Sequence, residues 1–193
     1  MICDEKGPIG LAGVMGGMNS EVKEDTTEII VEVAYFAPVL VRKTSRRLAL
    51  HTEASHRFER GVNIDNTKQV CLRVGRLLQQ CAEETGLEAP VVAGETIDLY
   101  PNPVRASNVA LRLSKTKQML AMPKLTKETI IAHFEGLELK LLDQNEDRMV
   151  FEVPFHRVDI EREVDLIEEV ARLEGLDKIP YQMPQMNIRP NNE

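Results

Sequence analysis

The sequence predicts an α+β fold built from two parts. Apolar residues recur at helical spacing most clearly over residues 63–86, whereas residues 28–34 are rich in β-branched side chains and suit a strand. Pro101 and Pro103 then interrupt the chain, since two prolines within three residues fit neither a helix nor a central strand. The expected organisation is a mixed α/β region at 1–100, a linker at 101–106, a small α+β module at 107–182 and a tail at 183–193.

Composition and charge narrow the possible functions. The 193 residues are 42% hydrophobic and 28% charged, which is typical of a globular protein with buried cores. Aromatic residues make up 4% and Trp is absent, so stacking of nucleic-acid bases on an aromatic sheet is not expected. A formal net charge of −7 argues against binding a polyanion through the overall field of the protein.

Cysteine spacing and hydropathy bear on cofactors and location. Cys3, Cys71 and Cys81 show no C-x-x-C spacing, so neither disulfides nor a zinc site is predicted, and we expect Cys71 and Cys81 in the core. No stretch approaches the roughly 18 apolar residues of a membrane span, and the amino terminus lacks the features of a signal peptide. The sequence therefore predicts a cytoplasmic protein without membrane contact.

The first predicted element is glycine-rich. Residues 8–17 begin as a short apolar strand and end in Gly16 and Gly17. No G-x-G-x-x-G pattern follows, so a tight turn or the backbone wall of a pocket is favoured over a phosphate loop.

The strand predicted at 28–34 contains one anomalous residue. By period-2 alternation Glu32 shares a face with Ile30 and Ala34, where a carboxylate would need a partner. In the alternative, Glu32 points to solvent and the opposite face of the strand is buried.

Two helices are predicted next. One begins at Pro38, runs to Leu50 and carries a cluster of cations. With Arg57 and Arg60 these cations would form a basic island in an acidic chain; in the alternative they are a solvated face. These cations are Arg42, Lys43, Arg46 and Arg47. The helix at 63–86 should support the core with its apolar stripe and end at Gly86. Two short strands are expected afterwards, at 90–93 and 96–100.

The segment His51–Gly61 between those helices is a candidate site. It contains two histidines, two glutamates and two arginines, and small residues at Thr52, Ala54 and Ser55 would let a ligand approach closely. In the alternative interpretation, Thr52 and Ser55 merely cap a solvated helix.

Beyond Pro103 the predicted elements are shorter. They are a strand at 108–113, a helix opened by Ser114, a helix at 126–135 and strands at 137–142 and 149–153. Two helices followed by a hairpin suit a small winged-helix-like α+β domain, but the helix at 126–135 is nearly charge-balanced and lacks the basic character of a recognition helix.

An acidic helix is predicted over Pro154–Leu173. Val164, Ile167, Val170 and Ala171 would form its apolar stripe. The carboxylates that would share the opposite side are Asp165, Glu168 and Glu169. These carboxylates suit either a solvated face balanced by arginines or a Mg²⁺ site, because Mg²⁺ prefers hard oxygen ligands.

Together these stretches resemble one known family, the β subunit of bacterial phenylalanine-tRNA ligase. His51–Gly61 resembles its signature stretch, and Met15–Gly17 and Val31–Phe36 fall at the expected distances before it. The similarity continues through Pro154–Ile160 and Val164–Arg172, so it covers essentially the whole chain.

The resemblance implies a function and its site residues. Residues 1–100 would be the carboxy-terminal part of the domain that hydrolyses tyrosine wrongly attached to the tRNA for phenylalanine, with a pocket formed by Gly16, Glu32, Thr52 and Ala54. Asp159, Asp165, Glu168 and Glu169 would hold Mg²⁺ near the α subunit. No catalytic side chain is implied, because water is the nucleophile.

The resemblance also implies partners. The expected assembly is an α2β2 heterotetramer that binds tRNA(Phe), with ATP used by the whole enzyme and not bound by this segment. The family's editing domain begins further upstream, so we expect the isolated chain to be inactive. The alternative from another class of protein is a non-catalytic docking or nucleic-acid-binding module.

Overall fold

The structure, a computed structural model, describes residues 1–92 and 94–180. It divides into two compact units, the first comprising Met1–Val104 with Phe155–Val158, and the second comprising Arg105–Pro154 with the described residues from Asp159 onward. Both units combine helices with a small antiparallel sheet, which confirms the α+β class. Within the described ranges, no helix has both the length and the apolar character that crossing a membrane requires.

The first unit opens with a three-stranded antiparallel sheet and continues as helices. The strands are β1 Ile2–Asp4, β2 Gly7–Leu11 and β3 Met15–Gly16, in that spatial order. Short 3-10 turns occupy Met18–Ser20 and Ile64–Asn66, and the helices are α1 Pro38–Leu48, α2 Glu53–Phe58 and α3 Thr67–Thr85.

The glycine-rich segment forms a hairpin whose turn precedes the double glycine. Residues 12–14 connect β2 to β3, and Gly13 adopts a left-handed φ of +69° there. Gly17 lies where a Cβ would stand only 2.6 Å from the carbonyl oxygen of Ile9, so the backbones approach too closely for a larger residue. The expected strand and close approach are therefore present, but the tight turn lies at Gly13.

Local signals set the helix ends of this unit well. Pro38 occupies the first turn of α1, and Ala49 ends the helix in a left-handed conformation two residues before His51. Gly86 ends α3 in the same way, as predicted.

Three predicted strands of this unit are wrong. Residues 28–34 and 96–100 have no regular secondary structure, and neither have residues 90–92; Ala93 lies outside the described residues. A strand is stable only when a neighbour satisfies its backbone hydrogen bonds, and no described segment pairs with these. Ile30 is 99% exposed on one predicted face, and Ile29 is 54% exposed on the other, so neither predicted face of 28–34 is buried.

The burial predicted for α3 is also wrong. Its periodicity does make a helix, but Ala82 is its only buried residue among those described, and Val70, Leu77 and Leu78 are exposed. Cys81 is exposed and Cys71 is half-buried, contrary to the expected core positions. Periodicity identifies an apolar face without identifying what covers it.

The second unit contains the larger core. Its elements are β4 Ser107–Arg112, α4 Leu113–Leu120, α5 Lys127–Glu135, β5 Lys140–Gln144, β6 Arg148–Val153, α6 Glu163–Glu174 and a 3-10 turn at Leu176–Lys178. β6 lies between β4 and β5, antiparallel to both. The hairpin β5–β6 follows the two short helices, as the sequence predicted. Residues 181–193, with the predicted tail, lie outside the described residues.

Helix capping explains why the helices of this unit begin where they do. The carboxylate of Asp147 accepts hydrogen bonds from the backbone N–H and hydroxyl of Ser114, at 2.7 and 2.8 Å, in the first turn of α4. The hydroxyl of Thr126 accepts the backbone N–H of Thr129 at 3.2 Å at the start of α5.

The acidic helix is shorter than predicted, because α6 begins at Glu163 and residues 154–162 are not helical. The Asp165 carboxylate accepts the backbone N–H groups of Glu161 and Arg162, at 3.0 and 2.7 Å, which fixes the start of the helix. Its buried side also differs from the predicted stripe, since Leu166 is buried whereas Val164 is 41% exposed.

Candidate functional site

The first candidate site lies where the β2–β3 hairpin meets the start of α2. The hydroxyl of Thr52 donates a hydrogen bond to the carbonyl oxygen of Val14 at 2.5 Å and accepts the backbone N–H of Ser55 at 3.0 Å. The hydroxyl of Ser55 in turn accepts the backbone N–H of Thr52 at 2.9 Å. This reciprocal capping box fixes the first turn of α2 against the hairpin.

Three of the four predicted pocket residues belong to this junction. Gly16 lies two residues after Val14, and a Cβ at Gly16 would meet no atom within 4 Å, so open space adjoins the backbone there. Thr52 and Ala54 lie at the N-cap and in the first turn of α2, and both are half-buried. The junction therefore presents a small-residue wall with room beside it.

Glu32 is not joined to this wall in the structure. It is exposed, lies in the irregular segment between Ser20 and Pro38, and makes no hydrogen bond or ion pair with the described residues. The same segment is anchored four residues later, because the ring of Phe36 packs edge-on against Phe58 at 5.0 Å. Four residues of extended chain span at most about 14 Å, so the Cα atom of Glu32 lies within that distance of the Cα atom of Phe36.

Sequence analysis missed the side chains that support this site. Val14 and Ser45 are buried, and the hydroxyl of Ser45 donates to the carbonyl oxygen of Leu50 at 2.6 Å and lies 3.5 Å from the hydroxyl of Ser55. A Cβ at Gly13 would stand 2.9 Å from the ring of Phe36. The four-residue spacing of buried Val41 and Ser45 on α1 was the one signal available for Ser45.

The alternative interpretation of His51–Gly61 also describes real geometry. Thr52 and Ser55 do cap a helix, and the charged side chains around them are largely solvated. Arg57 pairs with Glu53 at 3.3 Å, and Arg60 pairs with Glu59 at 2.9 Å. The helix cap and the pocket wall are compatible, because the Thr52 hydroxyl accepts the cap bond from Ser55 and donates the bond to Val14 at the same time.

The second candidate site consists of the predicted magnesium residues, which have different surroundings. Asp159 and Glu168 are exposed, with Asp159 ahead of α6. Burial opposes ionisation of Asp165, but the two backbone N–H bonds, together with the charge and hydrogen bond of the Arg162 side chain, lower the pKa of its carboxyl group. Glu169 is buried and pairs with Arg172 at 2.5 Å, so the prediction that it lies on the solvated side with Glu168 is wrong.

These carboxylates do not converge within the described residues. No group of three or more His, Cys, Asp or Glu side chains there is arranged to hold a metal ion. Magnesium commonly uses only one or two protein carboxylates and keeps several waters. The donor chemistry thus suits Mg²⁺, although two of the four carboxylates already serve a helix cap and an ion pair.

Comparison with known protein families identifies both units. Residues 1–83 match the B3/4 domain, and residues 109–176 match the tRNA synthetase B5 domain. A B3/4 domain followed by a B5 domain defines this chain as a segment related to tRNA synthetases.

Individual relatives are more specific. The chain is 43% identical over 184 residues to the phenylalanine–tRNA ligase beta subunit of Geobacter metallireducens, covering 95% of this chain and 22% of the relative. The corresponding subunit of Syntrophotalea carbinolica is 43% identical over 187 residues, with the same coverage, and that of Salinibacter ruber is 40% identical over 181 residues, 93% of this chain and 21% of the relative. The chain belongs to the family of phenylalanine–tRNA ligase beta subunits and spans about a fifth of their length.

Proposed function

We propose that this chain contributes to hydrolytic editing in a phenylalanine-tRNA ligase, removing tyrosine attached in error to tRNA(Phe). The observation that carries the proposal is the wall in which the Thr52 hydroxyl joins the start of α2 to the hairpin carrying Gly16. The family to which the chain belongs supports the same reading.

A second, hydrolytic site answers a physical problem. Tyrosine differs from phenylalanine by one hydroxyl group, and an apolar pocket rejects an added hydroxyl by only about a hundredfold. A site that bonds the hydroxyl discriminates far more strongly, because phenylalanine would leave its polar partner unsatisfied. Gly16 and Ala54 leave space for the ring, and the carboxylate of Glu32 would accept the phenol hydrogen.

Water is the nucleophile in this proposal. The only close serine–histidine pair among the described residues is Ser45 with His51, at 3.5 Å, and the Ser45 hydroxyl is buried and already donates to Leu50. The Thr52 hydroxyl is likewise committed to Val14. The chain's own side chains would therefore bind and orient the mischarged end, and the geometry of binding would position the water.

The role of Glu32 can be tested in the complete ligase. Glu32→Ala should slow hydrolysis of tyrosyl-tRNA(Phe) about tenfold or more, since a hydrogen bond to a charged group contributes about 1.5–3 kcal/mol. Attachment of phenylalanine should be unchanged. Glu28→Ala removes an exposed carboxylate of the same irregular segment and should have no effect. Unchanged hydrolysis in the Glu32 variant would contradict the assignment.

We also propose that the acidic end of the second unit takes part in a Mg²⁺ site beside the α subunit of an α2β2 ligase. Of the four carboxylates predicted to hold the ion, Glu168 and Asp159 are exposed, and Asp165 and Glu169 would support them through their bonds to the chain. Bound Mg²⁺ would supply a positive charge that brings carboxylates of the interface together.

The magnesium proposal predicts a specific loss. In the assembled ligase, Glu168→Gln should weaken Mg²⁺ binding, measured by titration calorimetry, by about tenfold, because one of few charged ligands becomes neutral. Glu161→Gln serves as the control, since only the backbone of Glu161 is engaged with Asp165. Equal Mg²⁺ affinity in the two variants, or subunit assembly indifferent to a chelator, would refute the site.

A further inference from the structure

One face of α1 carries positive charge that no carboxylate of residues 1–92 or 94–180 pairs with. Its four cations are all exposed, and none forms an ion pair within the described part of the chain; they are Arg42, Lys43, Arg46 and Arg47. At about 100° per residue they occupy one side of the helix, and buried Val41 and Ser45 occupy the opposite side. We call these four residues the α1 basic face.

The local structure of α1 does not account for this face. Arg46 and Arg47 lie in the last turn, where the helix dipole favours cations. Arg42 and Lys43 lie further from that end, and each stands four residues before another cation, a spacing at which like charges repel. No acidic residue occupies the first turn of the helix.

Two neighbouring arginines of the same unit, unlike the cations of α1, do form ion pairs. On α2, Arg57 is paired with Glu53, and just beyond it Arg60 is paired with Glu59. The contrast shows that carboxylates are available in this region of the sequence but do not neutralise α1. A concentrated positive face on a chain of net charge −7 is a local feature and not a consequence of overall composition.

The basic face is also held firmly to the candidate editing wall. A Cβ at Gly13 would stand 2.9 Å from Val41, so α1 packs directly on the turn of the hairpin. On the same side of α1, Ser45 lies 3.5 Å from Ser55, which caps α2 together with Thr52. A ligand bound along the α1 basic face would thus lie at a fixed position relative to Gly16 and Thr52.

We propose that the α1 basic face binds the phosphate backbone of an RNA strand and so positions that strand at the editing wall. Three of the four side chains are arginines, whose planar guanidinium groups bind phosphate oxygens in pairs. The proposal rests on the proposed editing function for the identity of the polyanion, but the charge arrangement that motivates it is independent of Glu32.

The test measures RNA binding by the complete 193-residue chain over a series of salt concentrations. The probe is fluorescently labelled, uncharged tRNA(Phe), followed by anisotropy. The variant has all four residues, Arg42, Lys43, Arg46 and Arg47, changed to Gln. Each phosphate contact of a single strand contributes about 0.7 to the slope of log affinity against log salt, so the slope should become shallower by about 2–3. Binding at low salt should weaken by about tenfold or more. Gln is a good helix former, and circular dichroism should confirm that helix content is kept.

A matched variant separates the face from net charge. In this variant four other exposed cations are changed to Gln, namely Arg73, Arg76, Lys124 and Lys140. This variant has the same net charge and should bind RNA nearly as the parent chain does. Equal losses in both variants, or no measurable binding of tRNA by the parent chain at low salt, would overturn the proposal.

Two further outcomes distinguish this proposal from its alternatives. If polyglutamate binds the parent chain through these four residues and RNA does not, the face serves an acidic protein partner and the RNA assignment is wrong. The variant of the α1 basic face could bind RNA like the parent chain while Glu32→Ala still impairs clearance of tyrosyl-tRNA. In that case the RNA-binding proposal is wrong and the editing proposal is unaffected.

Discussion

Phe151→Ala should lower the free energy of unfolding of the second unit by about 3–5 kcal/mol, the usual cost of removing a buried aromatic ring. The Phe151 side chain on β6 is fully buried and meets the ring of Phe134 from α5 edge-on, with centroids 4.8 Å apart and planes at 76°. Truncation would lose both the apolar burial and this aromatic contact, and it would leave a cavity between helix and sheet.

Amide hydrogen exchange in β4 and β6 would measure this effect, since it reports the stability of one unit separately from the other. Phe151→Leu keeps most of the volume and should cost far less. Leu142→Ala, at a position 43% exposed on β5, should change exchange only slightly. A loss in Phe151→Ala no greater than in Leu142→Ala would contradict the assignment of this core.

Glu163→Gln should destabilise the same unit by about 2 kcal/mol at neutral pH, a value reduced from the full strength of the bonds because water screens this partly exposed group. The Glu163 carboxylate accepts the Arg112 backbone N–H, Nε and guanidinium NH2 at 3.0, 2.9 and 2.7 Å, and Lys115 Nζ at 2.8 Å. These bonds tie the start of α6 to β4 and α4.

The pH dependence follows from the same contacts. The Arg112 side chain, helped by Lys115, lowers the pKa of Glu163 from 4.5 to about 2 in the folded chain. Its stabilisation is therefore complete above about pH 4.5 and disappears as the pH falls toward 2. Urea unfolding followed by exchange at several pH values should show the parent chain and Glu163→Gln converging at low pH. Glu146→Gln, an exposed carboxylate of the β5–β6 turn, should show no such convergence.

The candidate editing site was predictable in part. Gly16, Thr52 and Ala54 are small residues in stretches that resemble a known family, and the structure joins the segments that carry them through one hydrogen bond from Thr52 to Val14. The partner Val14 was not foreseen, because nothing in a linear pattern indicates that residues 38 positions apart share a bond. Glu32 remains a prediction from resemblance, since its segment forms no strand.

The acidic residues illustrate a different limit. Helical periodicity placed Asp165, Glu168 and Glu169 together on a solvated side, yet the chain uses Asp165 as a cap and buries Glu169 beside Arg172. A carboxylate can serve a helix start, an ion pair or a metal ion with the same oxygen atoms. Which of these it serves depends on groups supplied by other segments.

The sequence by itself determined that α1, α3, α4 and α5 are helices and that the β5–β6 hairpin follows them, because these signals are local. Pro38, Gly86 and Thr126 set helix ends through backbone geometry and capping within a few residues. Only the tertiary structure decided which apolar faces are buried and which extended segments become strands. The α3 stripe and residues 28–34 fit the local patterns of buried elements and are nevertheless exposed, since burial and strand pairing require a second surface that local sequence does not specify.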